Sequence, residues 1–376
     1  MRRHFLVALV AGTVFFAQGS LSHARAPLLA NTVKPAMPVP ADNPQTDAKI
    51  RLGGQLYFDK RLSIDDTISC ASCHGPATGW ANPHATDTGV KGQVGGRNSG
   101  TVIDSGYMRF QFWDGRVGSL EEQALGPIAN PIEMGETLDA VIAKLEAIPG
   151  YQEQFQTVYG TGVTAPGIAK AIAAFERSIV SGPSPFDRYL TGERDALSPA
   201  ARRGLELFNG KAHCTPCHSG PMFSDQGFHN LGVGQDGAEP DIGREEVTKD
   251  PADRGKFKTP HLRNIAQTAP YLHTGQEKTL LDVVEFYDRG GIANDNLDPL
   301  MLPLALTQGE KEDLVAFLEA LTGPVPETPF PALPPNADGS PAPDPASVDV
   351  PFGVPGIHDV VAPTAAATAD QMGGAQ

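Results

Sequence analysis

The 376-residue sequence is poor in several features, and each shortage narrows the class of protein. It has only four cysteines, all in one kind of motif, so none is left to build a disulfide framework elsewhere. Lysine and arginine number 29 against 44 aspartate and glutamate residues, and the net charge of −15 disfavours nucleic acid and favours a basic docking partner. The apolar run at residues 5–17 is too short to span a bilayer comfortably, and no later segment is long and apolar enough to do so.

The four cysteines form two copies of the pattern Cys-x-x-Cys-His. The residues are Cys70, Cys73 and His74 in the first copy and Cys214, Cys217 and His218 in the second. This spacing is used to attach c-type haem, with two thiols forming thioethers to the haem and the histidine binding its iron. A zinc site, a dithiol redox pair and two disulfides are the alternatives, but none of them needs a histidine after the second cysteine twice. The sequence therefore predicts two covalently bound c-type haems.

The N-terminus has the features of a secretory signal peptide. Arg2 and Arg3 precede the apolar run at residues 5–17, and small residues favour cleavage after Ala24 or Ala26. An uncleaved membrane anchor is the alternative interpretation. Since haem of this type is attached outside the cytoplasm, we expect a periplasmic protein whose signal peptide spans the first 26 residues.

The segments that precede the two haem motifs are alike, which predicts a duplicated unit. Residues 51–58 and 201–208 are both apolar, helical in pattern, and carry a glycine four residues before a phenylalanine. We therefore predict a linker at residues 27–44, an N-terminal haem domain at 45–190 and a C-terminal haem domain at 191–323.

Other helices are predicted from apolar residues that recur with helical spacing. Such faces occur within residues 138–145, 168–179 and 280–287, and Thr164 with Pro166 marks the start of the second of these helices. Thr307 with Glu310 forms a capping box that begins the last helix. Strand signals are sparse, and the loops are rich in glycine and proline. The predicted fold is therefore mainly α, with two cytochrome c-like haem domains, long loops and little strand.

The composition changes after residue 323. Residues 324–376 contain no lysine or arginine and are rich in proline, alanine and aspartate. This composition is typical of disordered segments, and we predict a disordered tail.

Beyond the haem motifs, four segments resemble the bacterial dihaem cytochrome c peroxidase and MauG superfamily. They are Phe-Trp-Asp-Gly-Arg at 112–116, Leu-Glu-Glu-Gln-Ala at 120–124, Gly-Pro-Ile at 126–128 and Pro-Tyr-Leu-His at 270–273. The resemblance covers residues 45–323, in order and with compatible spacing. It implies an enzyme that reduces hydrogen peroxide at the N-terminal haem with electrons carried through the C-terminal haem, or that uses both haems to oxidise a partner protein.

The resemblance also implies roles for individual residues. Glu133 matches the acid/base group of the peroxide site, Gln123 its distal hydrogen-bond donor, and Pro127 lines the same pocket. Trp113 matches the tryptophan that lies between the haems, where it can relay an electron or a hole. Without the resemblance, the alternative interpretation is that Glu133 caps a turn, Gln123 faces solvent on a helix and Trp113 is part of the hydrophobic core.

A calcium site between the domains is a further implication of the resemblance. Asn98, Thr268 and Pro270 align with the residues that form it in the family. Ca²⁺ accepts amide and carbonyl oxygens together with water, so a site poor in carboxylates is chemically acceptable.

The sequence departs from typical peroxidases at the second axial ligand of the C-terminal haem. Peroxidases have methionine at the position of Tyr287, whereas MauG-like members also carry tyrosine there, so the chain resembles the MauG-like branch more closely. A phenolate ligand stabilises ferric iron and lowers the reduction potential. Met222, soon after His218, is a less favoured alternative ligand.

A second departure concerns the loop after the first haem motif. Many peroxidases hold a switchable histidine there, but the aligned position is Val90. His84 lies earlier on the loop and is an alternative ligand, although an exposed polar role is the simpler interpretation. We therefore expect the first haem to be open in its resting state, so that the diferric protein reacts directly with peroxide.

These observations lead to one leading hypothesis and two alternatives. The leading one is a periplasmic dihaem oxidoreductase that reduces hydrogen peroxide and receives electrons from a small cytochrome c or a cupredoxin. The first alternative is a MauG-type maturation enzyme that oxidises tryptophan or tyrosine of a partner protein, and the second is a dihaem electron carrier without catalysis. None of them involves nucleic acid or a membrane span after removal of the signal peptide.

Overall fold

The computed structural model describes residues 32–347 with the exception of residues 236 and 238. The predicted signal peptide, the first residues of the predicted linker and residues 348–376 of the predicted tail lie outside the described residues. Within them the chain is mainly helical with two very short strands, which confirms the predicted fold class. No helix in this part is both long and apolar enough to cross a membrane.

The N-terminal half contains six α-helices among the described residues. They are α1 (Asp47–Phe58), α2 (Cys70–Cys73), α3 (Leu120–Ala129), α4 (Leu138–Glu146), α5 (Pro149–Tyr159) and α6 (Ala165–Glu176). The side chain of Thr46 begins α1 by accepting a hydrogen bond from the backbone of Lys49, and Thr164 begins α6 in the same way. The start of α6 thus agrees with its capping signal in the sequence.

The C-terminal half contains five α-helices and two strands, again among the described residues. They are α7 (Pro185–Leu190), α8 (Pro199–Asn209), β1 (Phe228–His229), α9 (Glu245–Thr248), β2 (Phe257–Lys258), α10 (Leu280–Asp288) and α11 (Gln308–Glu319). The strands pair in antiparallel orientation, with Phe228 opposite Lys258. The predicted capping box of Thr307 and Glu310 is present at the start of α11.

One kind of helix crossing organises both halves. Helix α1 packs against α6, and a Cβ on Gly53 would lie 1.9 Å from the carbonyl oxygen of Ala171. Helix α8 packs against α11, and a Cβ on Gly204 would lie 1.9 Å from the carbonyl oxygen of Asp313. A real Cβ atom does not approach an oxygen so closely, so each crossing requires glycine.

A second repeated element is a tight loop followed by a helix. An antiparallel bridge between Gln111 and Val117 precedes α3, and a bridge between Tyr271 and Glu277 precedes α10. Residue 111 corresponds to residue 271, an offset of 160 residues, and the same offset relates the N-cap Ser119 of α3 to Thr279 of α10. The two halves therefore repeat more than the haem motifs.

Each half has its own hydrophobic core. The first is built from residues between 52 and 179, and the second from residues between 186 and 321. Phe186 on α7 packs edge-on against Phe317 on α11, with ring centroids 5.7 Å apart. Helix α7 therefore belongs with the second core, although it precedes residue 191, where we predicted the second domain to begin.

The described part of the predicted tail, residues 324–347, differs from the expectation of disorder. It has no helix or strand but returns to the N-terminal half, where the ring of Phe330 packs against Phe58. The guanidinium of Arg61 donates hydrogen bonds to the carbonyl of Pro334 at 3.0 Å and to the side chain of Asn336 at 2.8 Å. A proline-rich segment follows a defined path here because the buried arginine supplies donors to its backbone.

Candidate active site

One cavity of about 630 Å³ lies between the two halves of the molecule. Both Cys-x-x-Cys-His motifs line it, and all four cysteines are free thiols. The lining includes Cys70, Cys73 and His74 of the first motif and Cys214, Cys217 and His218 of the second. The fold therefore brings two motifs that are far apart in the sequence to the walls of a single cavity.

The first motif is held by a single helical turn. Helix α2 consists of its four residues Cys-Ala-Ser-Cys, and the backbone N–H of Ser69 donates a hydrogen bond of 3.0 Å to the hydroxyl of Ser72. The Tyr57 hydroxyl donates to the carbonyl oxygen of His74 at 2.9 Å, which fixes the end of the turn. Burial lowers the pKa of the His74 imidazole, so it is neutral near pH 7, the form that binds a metal.

The histidine of the second motif is oriented for metal binding. Nδ1 of His218 lies 2.8 Å from the carbonyl oxygen of Phe223, to which its N–H donates. Burial also lowers the pKa of this imidazole. A histidine whose Nδ1–H is held by a carbonyl presents the lone pair of Nε2 to a metal, so the ring is prepared for an iron.

The remaining polar groups of the cavity also fit haem. Lys258 faces the cavity without a carboxylate partner among the described residues, and burial lowers the pKa of its ammonium to about 8. Nδ1 of His261 is buried and has no hydrogen-bond partner in the same part of the chain. Haem carries carboxylate side chains, which pair with such donors. The thiols, the imidazoles and these donors together fit two haems.

The predicted peroxide-site residues meet beside the first motif. Gln123 and Pro127 on α3 and Glu133 just after it all line the cavity. The side-chain amide of Asn130 donates a 2.6 Å hydrogen bond to Oε1 of Glu133, and its carbonyl accepts one from the backbone of Ile132 at 3.2 Å. Burial raises the pKa of the Glu133 carboxyl, and the hydrogen bond from Asn130 opposes that rise.

The loop after the first motif is fixed against Glu133. Val90 is 1% exposed, and its backbone N–H donates a 2.8 Å hydrogen bond to the carbonyl of Glu133. A Cβ on Gly89 would lie 2.0 Å from the carbonyl oxygen of Ile132, so the two segments are in close contact. The side chain of His84 is not part of the cavity lining. Its role as a haem ligand stays a prediction without support from this geometry.

Trp113 lies in the cavity wall and joins the two halves. Its indole N–H donates to the carbonyl of Asn98 at 2.7 Å, and its own carbonyl accepts from the backbone N–H of Lys258 at 2.7 Å. Its ring centroid is 6.1 Å from that of His273. The backbone N–H of Asn98 in turn donates to the carbonyl of His273 at 2.7 Å. The offset of 160 residues relates Trp113 to His273 and Asn98 to Lys258. The bond from Asn98 to His273 and the bond from Lys258 to Trp113 are therefore equivalent, and each half donates one of them to the other.

Tyr287 is the residue of α10 that reaches the second motif. It lines the cavity, and its hydroxyl forms no hydrogen bond within the described residues. Burial beside Cys214 and Cys217 raises the pKa of the phenol. Met222, the alternative ligand, is buried outside the cavity lining. By the same offset Tyr287 corresponds to Pro127, which cannot bind a metal.

The residues of the predicted calcium site lie near one another in the cavity wall. Asn98, Thr268 and Pro270 all line it. The amide of Asn98 donates to the carbonyls of Asn82 at 3.3 Å and His84 at 2.7 Å, and the Thr268 hydroxyl donates to Ile265 at 3.1 Å. Calcium binding stays a prediction.

The structure also reveals residues that the sequence analysis did not identify. Asn130 donates a hydrogen bond to Glu133. Lys258 and Glu176, the last residue of α6, both line the cavity. A signal for Asn130 exists in the sequence, because asparagine before proline often begins a turn. A signal for Glu176 also exists, since this acid ends a helix whose preceding residues form an apolar face.

Two cysteine motifs of this kind on one cavity, in a mainly helical fold, define a dihaem cytochrome. The family model described as di-haem cytochrome c peroxidase matches residues 47–195. Over 348 residues the chain is 40% identical to cytochrome-c peroxidase IdrP1 of Pseudomonas sp. (strain SCT), a match that covers 84% of this chain and 91% of the relative.

Two further proteins support the same assignment. The chain is 38% identical over 303 residues to methylamine utilization protein MauG of Methylorubrum extorquens, covering 80% of this chain and 85% of the relative. A solved structure of a MauG-like protein associated with microbial copper homeostasis has a TM-score of 0.72 at 35% identity, covering 77% of this chain and 93% of that protein. The chain therefore belongs to the dihaem cytochrome c peroxidase and MauG family and is a dihaem peroxidase-type oxidoreductase, which confirms the resemblance.

Proposed function

We propose that this protein is a periplasmic enzyme that reduces hydrogen peroxide at the haem bound to residues 70–74. Electrons reach that haem through a second one bound to residues 214–218, and both haems are attached covalently. The haems supply electron storage and an iron to which peroxide can bind. The reaction consumes two electrons and two protons for each peroxide and yields two waters.

The observation that carries the proposal is that Gln123 and Glu133 both line the cavity that the two haem motifs share. Glu133 accepts the proton that peroxide loses on binding and returns it to the departing oxygen. Gln123 donates a hydrogen bond to that oxygen, where charge develops as the O–O bond breaks. Asn130 keeps the carboxylate of Glu133 in one orientation through its 2.6 Å hydrogen bond.

Trp113 serves as the relay between the two haems in this proposal. Its bonds to Asn98 and Lys258 hold the indole at the interface of the two halves. A fixed aromatic ring between two redox centres shortens the distance that an electron must cross in one step.

In this proposal the phenol oxygen of Tyr287 would bind the iron of the second haem. Its hydroxyl lacks a partner in the described residues and faces the cavity, so the phenol oxygen is free for an iron. A phenolate ligand lowers the potential of the second haem, which makes it a poor acceptor of electrons from a high-potential donor. This one observation favours the second candidate function, oxidation of tryptophan or tyrosine in a partner protein as in MauG-type maturation.

The electron donor of the leading function is a small cytochrome c or a cupredoxin. A calcium ion bound near Asn98, Thr268 and Pro270 stabilises the junction of the halves. A non-catalytic electron carrier is disfavoured, because the relatives at 40% identity are named peroxidases.

The test is a stopped-flow reaction of the fully oxidised holoprotein with stoichiometric hydrogen peroxide. We expect rapid spectral change before any reductant is added. Glu133→Gln is expected to lower the second-order rate constant by about 10²–10⁴-fold. Glu153→Gln is the matched control, since Glu153 is exposed on α5, and it should react at the rate of the unmodified protein.

Two outcomes would contradict parts of the proposal. A protein that reacts only after one haem has been reduced would still be a peroxidase, but a gated one, and the expectation that the first haem is open in its resting state would be wrong. A Glu133→Gln protein with an unchanged rate constant would show that another group moves the proton. Reduced cytochrome c, cupredoxin and a tryptophan-bearing partner protein, added in turn after peroxide, then separate scavenging from maturation.

A further inference from the structure

In addition to Glu133, a second carboxyl group lies in the cavity wall near the first motif. Glu176 is the last residue of α6 and is 5% exposed. Its Oε2 atom is buried without a hydrogen-bond partner, and neither oxygen is hydrogen-bonded within the described residues. The residue lines the cavity on the side of Cys70. None of the steps proposed above uses it.

The groups around Glu176 compensate its charge only in part, because the positive charge of Arg177 lowers the pKa of the carboxyl by less than burial raises it. Arg177, the next residue, pairs instead with Glu121 of α3, at 2.7 Å and 2.8 Å. From α1 the neutral phenol of Tyr57 is nearby, and from α2 the thiol of Cys70, which carries no charge at neutral pH. A buried carboxylate without an ion-paired cation or a hydrogen-bond donor is costly, so the neutral acid is favoured. Accordingly, burial raises the pKa of Glu176 to about 8.

We propose that Glu176 is the proton-exchanging group beside the first haem. At alkaline pH, where Glu176 is a carboxylate, it takes up one proton when one electron enters that haem and releases the proton when the electron leaves. The inference rests on the proposed function in that a haem occupies this cavity. The electron comes from the external reductant that the peroxidase reaction consumes, and the proton comes from solvent. The carboxylate and the proton form an O–H bond, so the net charge of the cavity is the same before and after.

The physical reason is the low dielectric constant of the cavity. A negative charge added to a buried site repels a carboxylate there far more strongly than it would in water. Protonation of Glu176 removes that repulsion. Glu133 then handles the proton of the bound peroxide, whereas Glu176 handles a proton that accompanies the electron.

The test is a redox titration of the first haem in the holoprotein between about pH 6 and pH 10, a window that spans the pKa of Glu176. In the unmodified protein the midpoint potential is expected to fall as the pH rises, because a deprotonated Glu176 disfavours the added electron. In Glu176→Gln the side chain is always neutral, so the potential should stay close to its value at low pH. Glu153→Gln, on the exposed face of α5, should retain the slope.

A second measurement uses the unmodified protein and does not depend on the variant's folding. Infrared difference spectra of reduced minus oxidised protein, recorded above about pH 8 where Glu176 of the oxidised protein is a carboxylate, should contain the C=O band of a protonated carboxylic acid. Glu176→Asp should keep a pH-dependent potential with a shifted midpoint. A Glu176→Gln protein with the slope of the unmodified one, or a difference spectrum without this band, would overturn the inference.

The peroxide reaction of the same preparations separates this inference from the proposed function. A pH-dependent potential that is lost in Glu176→Gln, in a protein that does not react with peroxide, would support the proton-exchanging role and refute the peroxidase. Rapid reaction with peroxide together with an unchanged slope would do the reverse.

Discussion

The two halves of the molecule share a scaffold and differ in the residues that it presents to the cavity. Loop and helix elements repeat with an offset of 160 residues, yet Pro127 on α3 corresponds to Tyr287 on α10. Likewise Gln123, the proposed hydrogen-bond donor, corresponds to Val283. At the position of Pro127 and Tyr287, a side chain that can bind an iron is therefore present in the second half and absent from the first.

This difference shows how one backbone supports two tasks. Proline offers no ligand atom, so Pro127 presents no side chain to an iron in its part of the cavity wall. Tyrosine presents a phenol oxygen at the equivalent position in the second half. At the interface the halves present Trp113 and His273 to one another, and only one of the two is an indole with a hydrogen-bonded N–H. The backbone contacts are reciprocal, whereas the chemistry is not.

The largest expected effect comes from breaking the crossing that both halves share. Gly53→Ala and Gly204→Ala each place a Cβ 1.9 Å from a backbone oxygen, which forces two helices apart. We expect each to cost more than about 3 kcal/mol and to reduce haem incorporation mainly in its own half. Haem content by pyridine haemochrome and thermal unfolding measure this.

Gly309→Ala on α11 is the matched control, because nothing lies within 4 Å of a Cβ there. It should be neutral or slightly stabilising, since alanine favours helix. Two variants that retain full haem content would refute the requirement for glycine at the crossings.

Substitutions at Tyr287 and at the corresponding Pro127 should make the two haems alike in whether they bind cyanide. Tyr287→Phe removes the phenol oxygen, so we expect cyanide to bind two haems per protein instead of one. Pro127→Tyr supplies a phenol in the first half and is expected to reduce cyanide binding there. Spectroscopic cyanide titration counts the sites, with Tyr189→Phe, outside the cavity lining, as control. An unchanged single site in Tyr287→Phe would refute the ligand assignment.

A smaller effect is expected from the support of Glu133, which has no counterpart in the second half. Asn130→Ala removes a hydrogen bond that lowers the pKa of the Glu133 carboxyl, so that pKa should rise. A hydrogen bond to a charged group is worth about 1.5–3 kcal/mol, equivalent to about one to two pH units.

Because Glu133 acts first as a base, the acidic limb of the peroxide rate profile should move to higher pH by that amount. Stopped-flow rates measured from pH 5 to about 9, at intervals of about one pH unit, are sufficient to detect a shift of this size. A variant with a lower rate at every pH but an unmoved limb would indicate lost packing rather than lost positioning.

The smallest expected effect comes from removing residues 324–376. Residues 324–347 contact the N-terminal half through the bonds of Arg61 and the packing of Phe330, so the deletion should destabilise that half by about 1–3 kcal/mol. Differential scanning calorimetry of the holoprotein should show a transition lowered by a few degrees. An unchanged transition would mean that these contacts contribute no stability.

Much of the fold could be predicted from local signals. The helix starts at Thr164 and Thr307 were found because a capping side chain satisfies a backbone N–H within three residues, so their evidence is local. The defined path of residues 324–347 was not predicted. The composition of this segment carries no information about the hydrogen bonds that Arg61 donates to it from a distant part of the sequence.

The candidate site was predicted in part. Gln123, Glu133, Trp113 and Tyr287 were identified through a resemblance, and the structure brings all of them to one cavity. Asn130 was not identified, since its importance lies in the direction of its amide. The correspondence of Pro127 with Tyr287 was also missed, because the repeated loops share backbone conformation and hardly any sequence.

The sequence by itself determined where haem is attached, because a Cys-x-x-Cys-His motif carries two thiols and a histidine within five residues. It also determined where most helices begin, through capping that acts over a single turn. Only the tertiary structure decided that both motifs line one cavity and that Trp113 lies beside His273. It also decided that Glu176, whose buried Oε2 has no hydrogen-bond partner among the described residues, lies in the wall of that cavity. The reason is that burial and charge compensation depend on neighbours far apart in the chain, which only the packing of the two halves brings together.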